Sequence, residues 1–176
     1  MEVMGRHAGW LCAAGDAIDT FRESRLCLFP EIQFSKNHFL KKVDEIVKET
    51  GFCVVVASEG IKDEQTGDFV SRTEEKDVFG HYKLGNAGIQ IGNMISSELG
   101  YKTHVSIPDY LQRASAHHRS TRDQIVAEMV GAAAVRFAFE GKSGILPMIY
   151  RKDYHIEIRS VPVENVANRE KTLPLF

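Results

Sequence analysis

The chain has 176 residues, of which 43% are hydrophobic and 26% are charged, and this composition is typical of a globular protein with a sizeable core. The 22 Lys and Arg residues nearly balance the 24 Asp and Glu residues, which argues against the basic surface of a nucleic-acid-binding protein. No apolar run approaches the roughly 18 residues of a membrane span, so we expect a cytoplasmic protein that binds neither nucleic acid nor a membrane.

The first half of the sequence alternates helical and extended patterns. Apolar residues recur at helical spacing from Gly5 to about Ala14, which predicts a helix that begins near Gly5. Residues 26–29 form a short apolar run that is typical of a buried strand. A second helix is predicted between a capping Ser35 and a terminating Gly51. The run FCVVVA at 52–57 is continuous and β-branched, and this pattern favours a strand buried on both faces.

The middle of the chain is more polar. Residues 62–77 are charged and contain glycine, which predicts a solvated loop. A helix is expected over residues 86–99, followed by a strand over 103–107.

The last third predicts one long helix and two strands. Ser120 and the three residues after it resemble a capping box, and apolar residues on one face continue to Gly141. Strands are expected over 145–150 and 155–163. Strands that alternate with helices favour an α/β fold with a parallel or mostly parallel sheet flanked by helices, which we expect to form a single domain over 1–176.

Cysteine spacing indicates no specialised chemistry. Cys12, Cys27 and Cys53 are odd in number, widely spaced and surrounded by apolar residues. No CxxC pair is present, so the sequence predicts small buried thiols in a reducing compartment.

Three short segments follow predicted strands or enter predicted helices, the places where α/β folds bind ligands. Met4–Arg6 offers flexible backbone and a guanidinium, which suit an anionic or polyhydroxyl ligand; alternatively, Gly5 makes a simple turn and Arg6 is solvated. Ser58–Gly60 places a carboxylate after the FCVVVA strand, where Glu59 accepts hydrogen bonds from hydroxyl groups or else caps a loop. Tyr110–Arg113 supplies a hydroxyl and a phosphate-binding arginine, or a surface arginine only.

Signatures of other chemistries are missing. The sequence contains no GxSxG, no HExxH and no GKS or GKT loop, and the adjacent His117 and His118 would point apart, which makes them poor partners for one metal ion. The three segments therefore indicate binding of a phosphorylated polyol, without a visible catalytic acid or base.

The same three segments resemble motifs of the phosphofructokinase family. MGRHAGW at 4–10 is similar to the family's MGRxxG motif, SEG at 58–60 to its SEG motif, and YLQR at 110–113 to its QR-containing motif. The order and spacing agree over essentially the whole chain, and NVANREKTLP at 165–174 resembles the tail of the pyrophosphate-using branch.

The resemblance implies roles for the first two segments. Met4 and Gly5 would present backbone to fructose 6-phosphate, and Arg6 would stabilise the transferred group as the one catalytic residue. Glu59 would bind sugar hydroxyls.

It also implies a phosphate-binding group. Arg113 would hold the 6-phosphate, with Tyr110 beside it. A basic residue from a neighbouring subunit would reach the same phosphate, and both Lys102 and His104 fit that place, so a homo-oligomer is expected.

The resemblance further implies what these residues do not supply. The family's glycine-rich donor loop, its GGDD or GGDG metal motif and its TID segment with the catalytic Asp lie upstream of MGR and are absent from this sequence. The resemblance implies that the parent enzyme uses pyrophosphate or ATP with Mg²⁺, and that these 176 residues are inactive alone. We also expect a shortened first strand and exposed apolar sheet edge.

Two other functions stay open on the sequence. The chain fits a non-catalytic sugar-phosphate-binding module or regulatory paralogue, and it also fits a structural α/β domain whose charged residues are surface groups.

Overall fold

The computed structural model describes residues 1–17, 20, 22–76, 82–84 and 86–174. These residues form two compact units. The first comprises residues 1–112 and the described residues from Lys171 onward, and the second comprises Arg113–Glu170. The prediction of a single domain stays a prediction.

A three-stranded parallel sheet lies at the centre of the first unit. The strands are β1 (Glu2–Val3), β2 (Arg25–Leu28) and β3 (Val54–Ser58), in the order β1-β3-β2. β3 pairs in parallel with a strand on each side. The predicted β-branched strand is therefore confirmed, shifted to Val54–Ser58, and it lies at the centre of the sheet. The predicted burial on both faces holds for its carboxyl half only, since Val54 is exposed.

Helices cover both faces of this sheet. On one face α1 (Trp10–Asp16) packs Cys12 against Val3 and Val56. On the other face lie α2 (Lys36–Thr50) and α3 (Ala87–Leu99), whose core residues cluster with Ala57 of β3. Neighbouring residues of β3 thus face opposite helix layers, as strand geometry requires. The predicted α/β architecture, a parallel sheet flanked by helices, is confirmed.

The two helices on this second face have the predicted bounds. α2 follows Ser35 and ends at Gly51, whose N–H donates to the carbonyl of Val47. The Ser35 hydroxyl donates to Glu64 Oε1 at 2.5 Å and does not cap the helix. α3 begins after Asn86 and ends before Gly100.

Two further predictions in the first unit are wrong. The first helix begins at Trp10, not near Gly5, because the Gly5 carbonyl accepts hydrogen bonds from a distant segment and is not available to a helical N–H. Residues 103–107 form no strand. Their described neighbour, β1, is only two residues long, and a single bond from the Glu2 N–H to the Ser106 carbonyl connects the two segments.

The predicted loop over 62–77 is only partly confirmed. Its end forms β4 (Arg72–Lys76), which pairs antiparallel with β5 (Tyr82–Leu84). Residue 77 lies outside the described residues.

The second unit packs a long helix on a hairpin. The strands β6 (Ile145–Lys152) and β7 (His155–Pro162) pair antiparallel, and α5 (Thr121–Phe139) contacts both. The Ser120 hydroxyl accepts the N–H of Asp123 at 3.4 Å, which confirms the predicted helix start. The two predicted strands are confirmed by the observed hairpin. Within the described part of the chain, no helix has the length and apolar character needed to cross a membrane.

Burial differs among the three thiols. Cys12 is fully buried, whereas Cys27 and Cys53 are partly exposed. A hydrogen bond with Cys27, together with burial, raises the pKa of the Cys12 thiol. Burial raises the pKa of Cys53 to about 11. The expected buried thiol is therefore confirmed fully for Cys12 and in part for the other two.

Candidate functional site

Gly5 connects two of the three segments that the sequence singled out. Its N–H donates to Glu59 Oε1 at 3.1 Å, and its carbonyl accepts both the Gly60 N–H at 3.1 Å and the Ser58 hydroxyl at 2.5 Å. Ser58 is completely buried. The Met4–Arg6 and Ser58–Gly60 segments therefore follow neighbouring parallel strands, β1 and β3, and form one rigid cluster at the carboxyl edge of the sheet.

Two glycines make this close approach possible. Gly5 has φ of +147°, a conformation that other residues rarely adopt, and a Cβ there would lie 2.6 Å from the Ser58 hydroxyl oxygen. A Cβ on Gly60 would lie 1.9 Å from the carbonyl oxygen of Arg6. These contacts support the prediction that Gly5 permits a close approach of the backbone, although Gly5 does not lie at the start of a helix.

The Glu59 side chain lies at the surface of this cluster. Its backbone N–H donates to the Val3 carbonyl at 3.0 Å, and its carbonyl accepts the buried Ser71 hydroxyl at 3.1 Å. These bonds fix the backbone, so the carboxylate has a defined direction while the residue remains partly exposed. One carboxylate oxygen is held by Gly5, and a partly exposed carboxylate retains further acceptor capacity for ligand hydroxyls.

The third segment reaches the cluster through a residue that we had not singled out. The Gln112 side-chain oxygen accepts the N–H of Met4 at 3.2 Å, and its amide group donates to the Asp109 carbonyl at 3.2 Å. The two bonded residues, Met4 and Gln112, are 108 positions apart in sequence. The position of Gln112 within the YLQR segment was the only sequence signal for it.

The remaining candidates occupy different places. Tyr110 is 67% exposed in the turn before α4 (Leu111–Ala114). Arg113, on α4, belongs to the second unit and is exposed. Lys102 and His104 are exposed beside Met1 and Phe52, toward the amino-terminal edge of the sheet, and so do not join the Gly5–Glu59 cluster within this chain.

The Glu31 carboxylate holds the turn that leads into α1. Glu31 accepts the buried Gly9 N–H with both oxygens, at 3.0 and 3.2 Å, and the Leu173 N–H at 2.9 Å. The Trp10 indole N–H donates to the Lys171 carbonyl at 2.7 Å. The tail at 171–173 is therefore attached to the segment that follows Met4–Arg6, an arrangement that sequence spacing alone did not indicate.

Replacement of Glu31 by Ala should release this tail. The Gly9 and Leu173 N–H groups would lose their acceptor, and we expect a loss of about 1–3 kcal/mol in the free energy of unfolding. Amide hydrogen exchange should become at least about tenfold faster at Leu173. Glu31→Gln, which keeps an acceptor oxygen, should change exchange much less; equal exchange in wild type and Glu31→Ala would contradict the assignment.

The cluster is suited to binding and orienting a polar ligand. It combines fixed backbone, a directed carboxylate and the neighbouring Arg6, which are groups that bind hydroxyls and anions. Among the described residues, no three His, Cys, Asp or Glu side chains come together as metal ligands. We assign these residues no metal-dependent step.

Comparison with known proteins identifies relatives that match nearly the whole chain. The phosphofructokinase family model matches residues 1–138. The pyrophosphate–fructose 6-phosphate 1-phosphotransferase of Methylococcus capsulatus is 46% identical over 180 residues, covering 99% of this chain and 43% of that protein. The enzyme of the same name from Halomonas elongata is 41% identical, covering 99% of this chain and 42% of that protein.

Solved structures agree with the sequence matches. The crystal structure of the pyrophosphate-dependent phosphofructokinase from Nitrosospira multiformis is similar with a TM-score of 0.83 and 38% identity, covering 98% of this chain and 41% of that one. The corresponding enzyme from Marinobacter aquaeolei gives a TM-score of 0.80 and 39% identity. This chain thus spans 41–43% of the length of each of these four relatives.

Proposed function

The chain belongs to the phosphofructokinase family, and from that premise we propose that it forms the fructose 6-phosphate-binding part of a pyrophosphate-dependent 6-phosphofructokinase. In this reaction a phosphoryl group passes from pyrophosphate to the 1-hydroxyl of the sugar, giving fructose 1,6-bisphosphate and phosphate. The proposal includes a glycolytic role in the cytoplasm and a homo-oligomeric enzyme.

The observation that carries the proposal is that three sequence segments meet at the backbone of Met4 and Gly5. Gly5 bonds to Glu59, and Met4 bonds to Gln112, although the first pair is separated by 54 positions and the second by 108. A structural α/β domain has no need to hold a partly exposed carboxylate and a glutamine against the backbone next to Arg6, at the edge of the sheet where such folds usually bind ligands.

In the proposed complex, the cluster binds the sugar. Glu59 accepts hydrogen bonds from sugar hydroxyls, and the backbone of Met4 and Gly5 lies against the ligand. Arg6 stabilises negative charge on the transferred phosphoryl group, since a guanidinium offers a fixed fork of donors to phosphate oxygens.

The remaining assignments concern the 6-phosphate. Arg113 binds it as a bidentate partner with Tyr110 alongside. Lys102 is proposed as the basic residue donated by a neighbouring subunit, with His104 as the alternative. Both are exposed in this chain, as a residue that serves a second subunit must be.

The names of the relatives support a proposal for the phosphoryl donor. Each of the two curated relatives named above carries pyrophosphate in its name, which favours pyrophosphate over ATP for this chain. Phosphoryl transfer needs donor positioning, charge neutralisation by Mg²⁺ and a base for the hydroxyl proton. We propose that these come from outside the 176 residues, which are then inactive alone.

The test is a fructose 6-phosphate titration of the isotope-labelled chain, followed by amide NMR. We expect saturable shifts at residues 4–6 and 59–60, and weakening of the affinity by about tenfold in Glu59→Gln, because a charge-assisted hydrogen bond is lost while the acceptor for Gly5 is kept. Glu98→Gln, on the exposed surface of α3, is the matched control and should bind as the wild type does.

Two results would contradict the proposal. A folded chain with no saturable shifts would show that these residues do not form the sugar-phosphate site by themselves. Equal affinity in wild type and Glu59→Gln would remove Glu59 from the site even if binding occurs elsewhere.

A further inference from the structure

Two of the three thiols are neighbours in the folded chain. Cys12 lies on α1 and Cys27 on β2, and both belong to the group of side chains packed on the α1 face of the sheet. The Cys27 Sγ lies 3.8 Å from the Cys12 carbonyl oxygen, and the two thiols are hydrogen-bonded to each other. Cys53 packs on the opposite face, with α2 and α3. The fold therefore pairs two cysteines that are 15 positions apart in the sequence.

The buried member of the pair is held in place. Cys12 is completely buried, and its Sγ lies 3.3 Å from the Val56 carbonyl oxygen and 3.5 Å from the Leu28 carbonyl oxygen. Leu28 follows Cys27 on β2, so these contacts keep the Cys12 sulfur beside the second thiol. A fully buried thiol does not meet a reagent from the solvent directly, so its reaction partner has to be its neighbour.

An ion pair joins the two elements that carry the thiols. Arg25 lies two residues before Cys27 on β2 and therefore shares its face of the sheet. Its guanidinium donates to the Asp16 carboxylate at 3.0 Å and to the Asp16 carbonyl at 2.7 Å. The Arg25 side chain is only 5% exposed, and Asp16 Oδ1 lies 3.9 Å from the Cys27 Sγ. These bonds attach the end of α1 to β2 next to the two thiols.

The surroundings favour the thiolate of Cys27 over that of Cys12. The hydrogen bond from Cys12 lowers the pKa of the Cys27 thiol, and the Arg25 guanidinium acts in the same direction. Burial and the Asp16 carboxylate oppose this shift without reversing it. Cys27 is also the partly exposed member of the pair. A partly exposed thiol beside an arginine and a second cysteine is the usual setting of a redox-sensitive cysteine.

We propose that Cys27 and Cys12 form a reversible dithiol–disulfide pair that reacts with hydroperoxides, with Cys27 as the attacking thiol and Cys12 as the resolving thiol. The Cys27 thiolate attacks one oxygen of hydrogen peroxide: an S–O bond forms, the O–O bond breaks, and the hydroxide takes up a proton to leave as water. The Cys12 sulfur then attacks the Cys27 sulfur: an S–S bond forms, the S–O bond breaks, and a second water leaves with the Cys12 proton. The two thiols lose two electrons to the peroxide, and a dithiol reductant restores them.

Mass spectrometry measures the link directly, because trypsin places the three cysteines in separate peptides, 7–22, 26–36 and 49–62. The native full chain is treated with hydrogen peroxide, and the remaining thiols are alkylated with iodoacetamide after unfolding. We expect peptides 7–22 and 26–36 to be joined, and to separate with dithiothreitol. Peptide 49–62 should stay separate and alkylated, since burial raises the pKa of Cys53 to about 11.

Three variants assign the roles of the thiols. Cys27→Ser should abolish the link and leave Cys12 free for alkylation after unfolding, because the buried thiol has lost its attacking partner. Cys12→Ala should leave Cys27 as a sulfenic acid, which dimedone traps. Cys53→Ser is the matched control, and the link should form in it as in the wild type. In the untreated native chain, iodoacetamide should alkylate Cys27 at least about tenfold faster than Cys53.

The disulfide should also change unfolding. It closes the loop between α1 and β2, so the midpoint of urea denaturation should rise by about 1 M in the oxidised chain. A lower midpoint would contradict the proposal, because a link between native neighbours does not strain the fold.

Two further outcomes would overturn the proposal. A link that forms only when peroxide is added to the chain in urea would show that the thiols do not meet in the fold. Oxidation of Cys53 ahead of Cys27 would show that the surroundings of Cys27 do not promote its reaction. The cysteines take no part in the proposed sugar-phosphate site, so either proposal can fail without the other.

Discussion

Gly60→Ala should lower the free energy of unfolding of the first unit by more than about 3 kcal/mol, an unusually large effect for one added methyl group. The new Cβ would lie 1.9 Å from the Arg6 carbonyl oxygen and 2.4 Å from its carbon. Both contacts are with backbone, so no flexible side chain can move aside. Separating the segments would break the bonds from the Gly60 N–H and the Ser58 hydroxyl to Gly5.

The measurement is urea denaturation followed by fluorescence of Trp10, the only tryptophan in the sequence, which lies in the same unit. Gly15→Ala is the control. A Cβ at Gly15, in α1, would meet Val56 at an ordinary 3.5 Å, and the substitution should be neutral or stabilising by about 0.5–1 kcal/mol. A Gly60→Ala loss of less than about 1 kcal/mol would show that the two segments separate easily.

Elements with a strong local pattern could be predicted from the sequence. α2 and α3 have their expected bounds, and the β-branched run that became β3 lies at the centre of the sheet. Periodicity and capping residues act within a few positions along the chain, so the elements that they determine can be predicted from the sequence alone.

The sequence could identify the segments that form the candidate site, but not the hydrogen bonds that bring those segments together. The motifs around Gly5 and Glu59 were identified, yet a helix was expected to begin near Gly5. The apolar spacing there continues into α1. The Gly5 carbonyl, however, accepts hydrogen bonds from Ser58 and Gly60, which lie 53 and 55 positions further along the chain. Tertiary hydrogen bonds of this kind override local periodicity, and nothing in the neighbouring sequence reports them.

Residues that support the site from a distance were missed for the same reason. Gln112 bonds to Met4, and Glu31 bonds to Gly9 and Leu173, in one case across 142 positions. A lone Gln or Glu on a surface segment has no sequence pattern that separates a structural acceptor from a solvated side chain. Only the fold, which brings strand ends together at one edge, identifies the acceptor.

Glu2→Ala should lower the free energy of unfolding by about 2–4 kcal/mol. Glu2 is only 6% exposed, and its carboxylate accepts the N–H of Gly88, in the first turn of α3. Alanine would leave that buried N–H without an acceptor, which costs about 1–3 kcal/mol, and would remove a negative charge from the positive end of the helix dipole. Urea denaturation gives the free energy, and amide exchange at Gly88 reports the lost hydrogen bond.

Glu2→Gln separates the two contributions. The amide oxygen still accepts the Gly88 N–H while the charge is lost, so the expected loss is about 0.5–1 kcal/mol and exchange at Gly88 should stay slow. Equal losses for the two variants would assign the effect to the charge and contradict the hydrogen-bond argument. Glu2 also donates its N–H to the Ser106 carbonyl. The short strand β1 therefore connects α3 to the segment that leads to Gln112. Loss of the Glu2 carboxylate should for this reason weaken the candidate site as well as the fold.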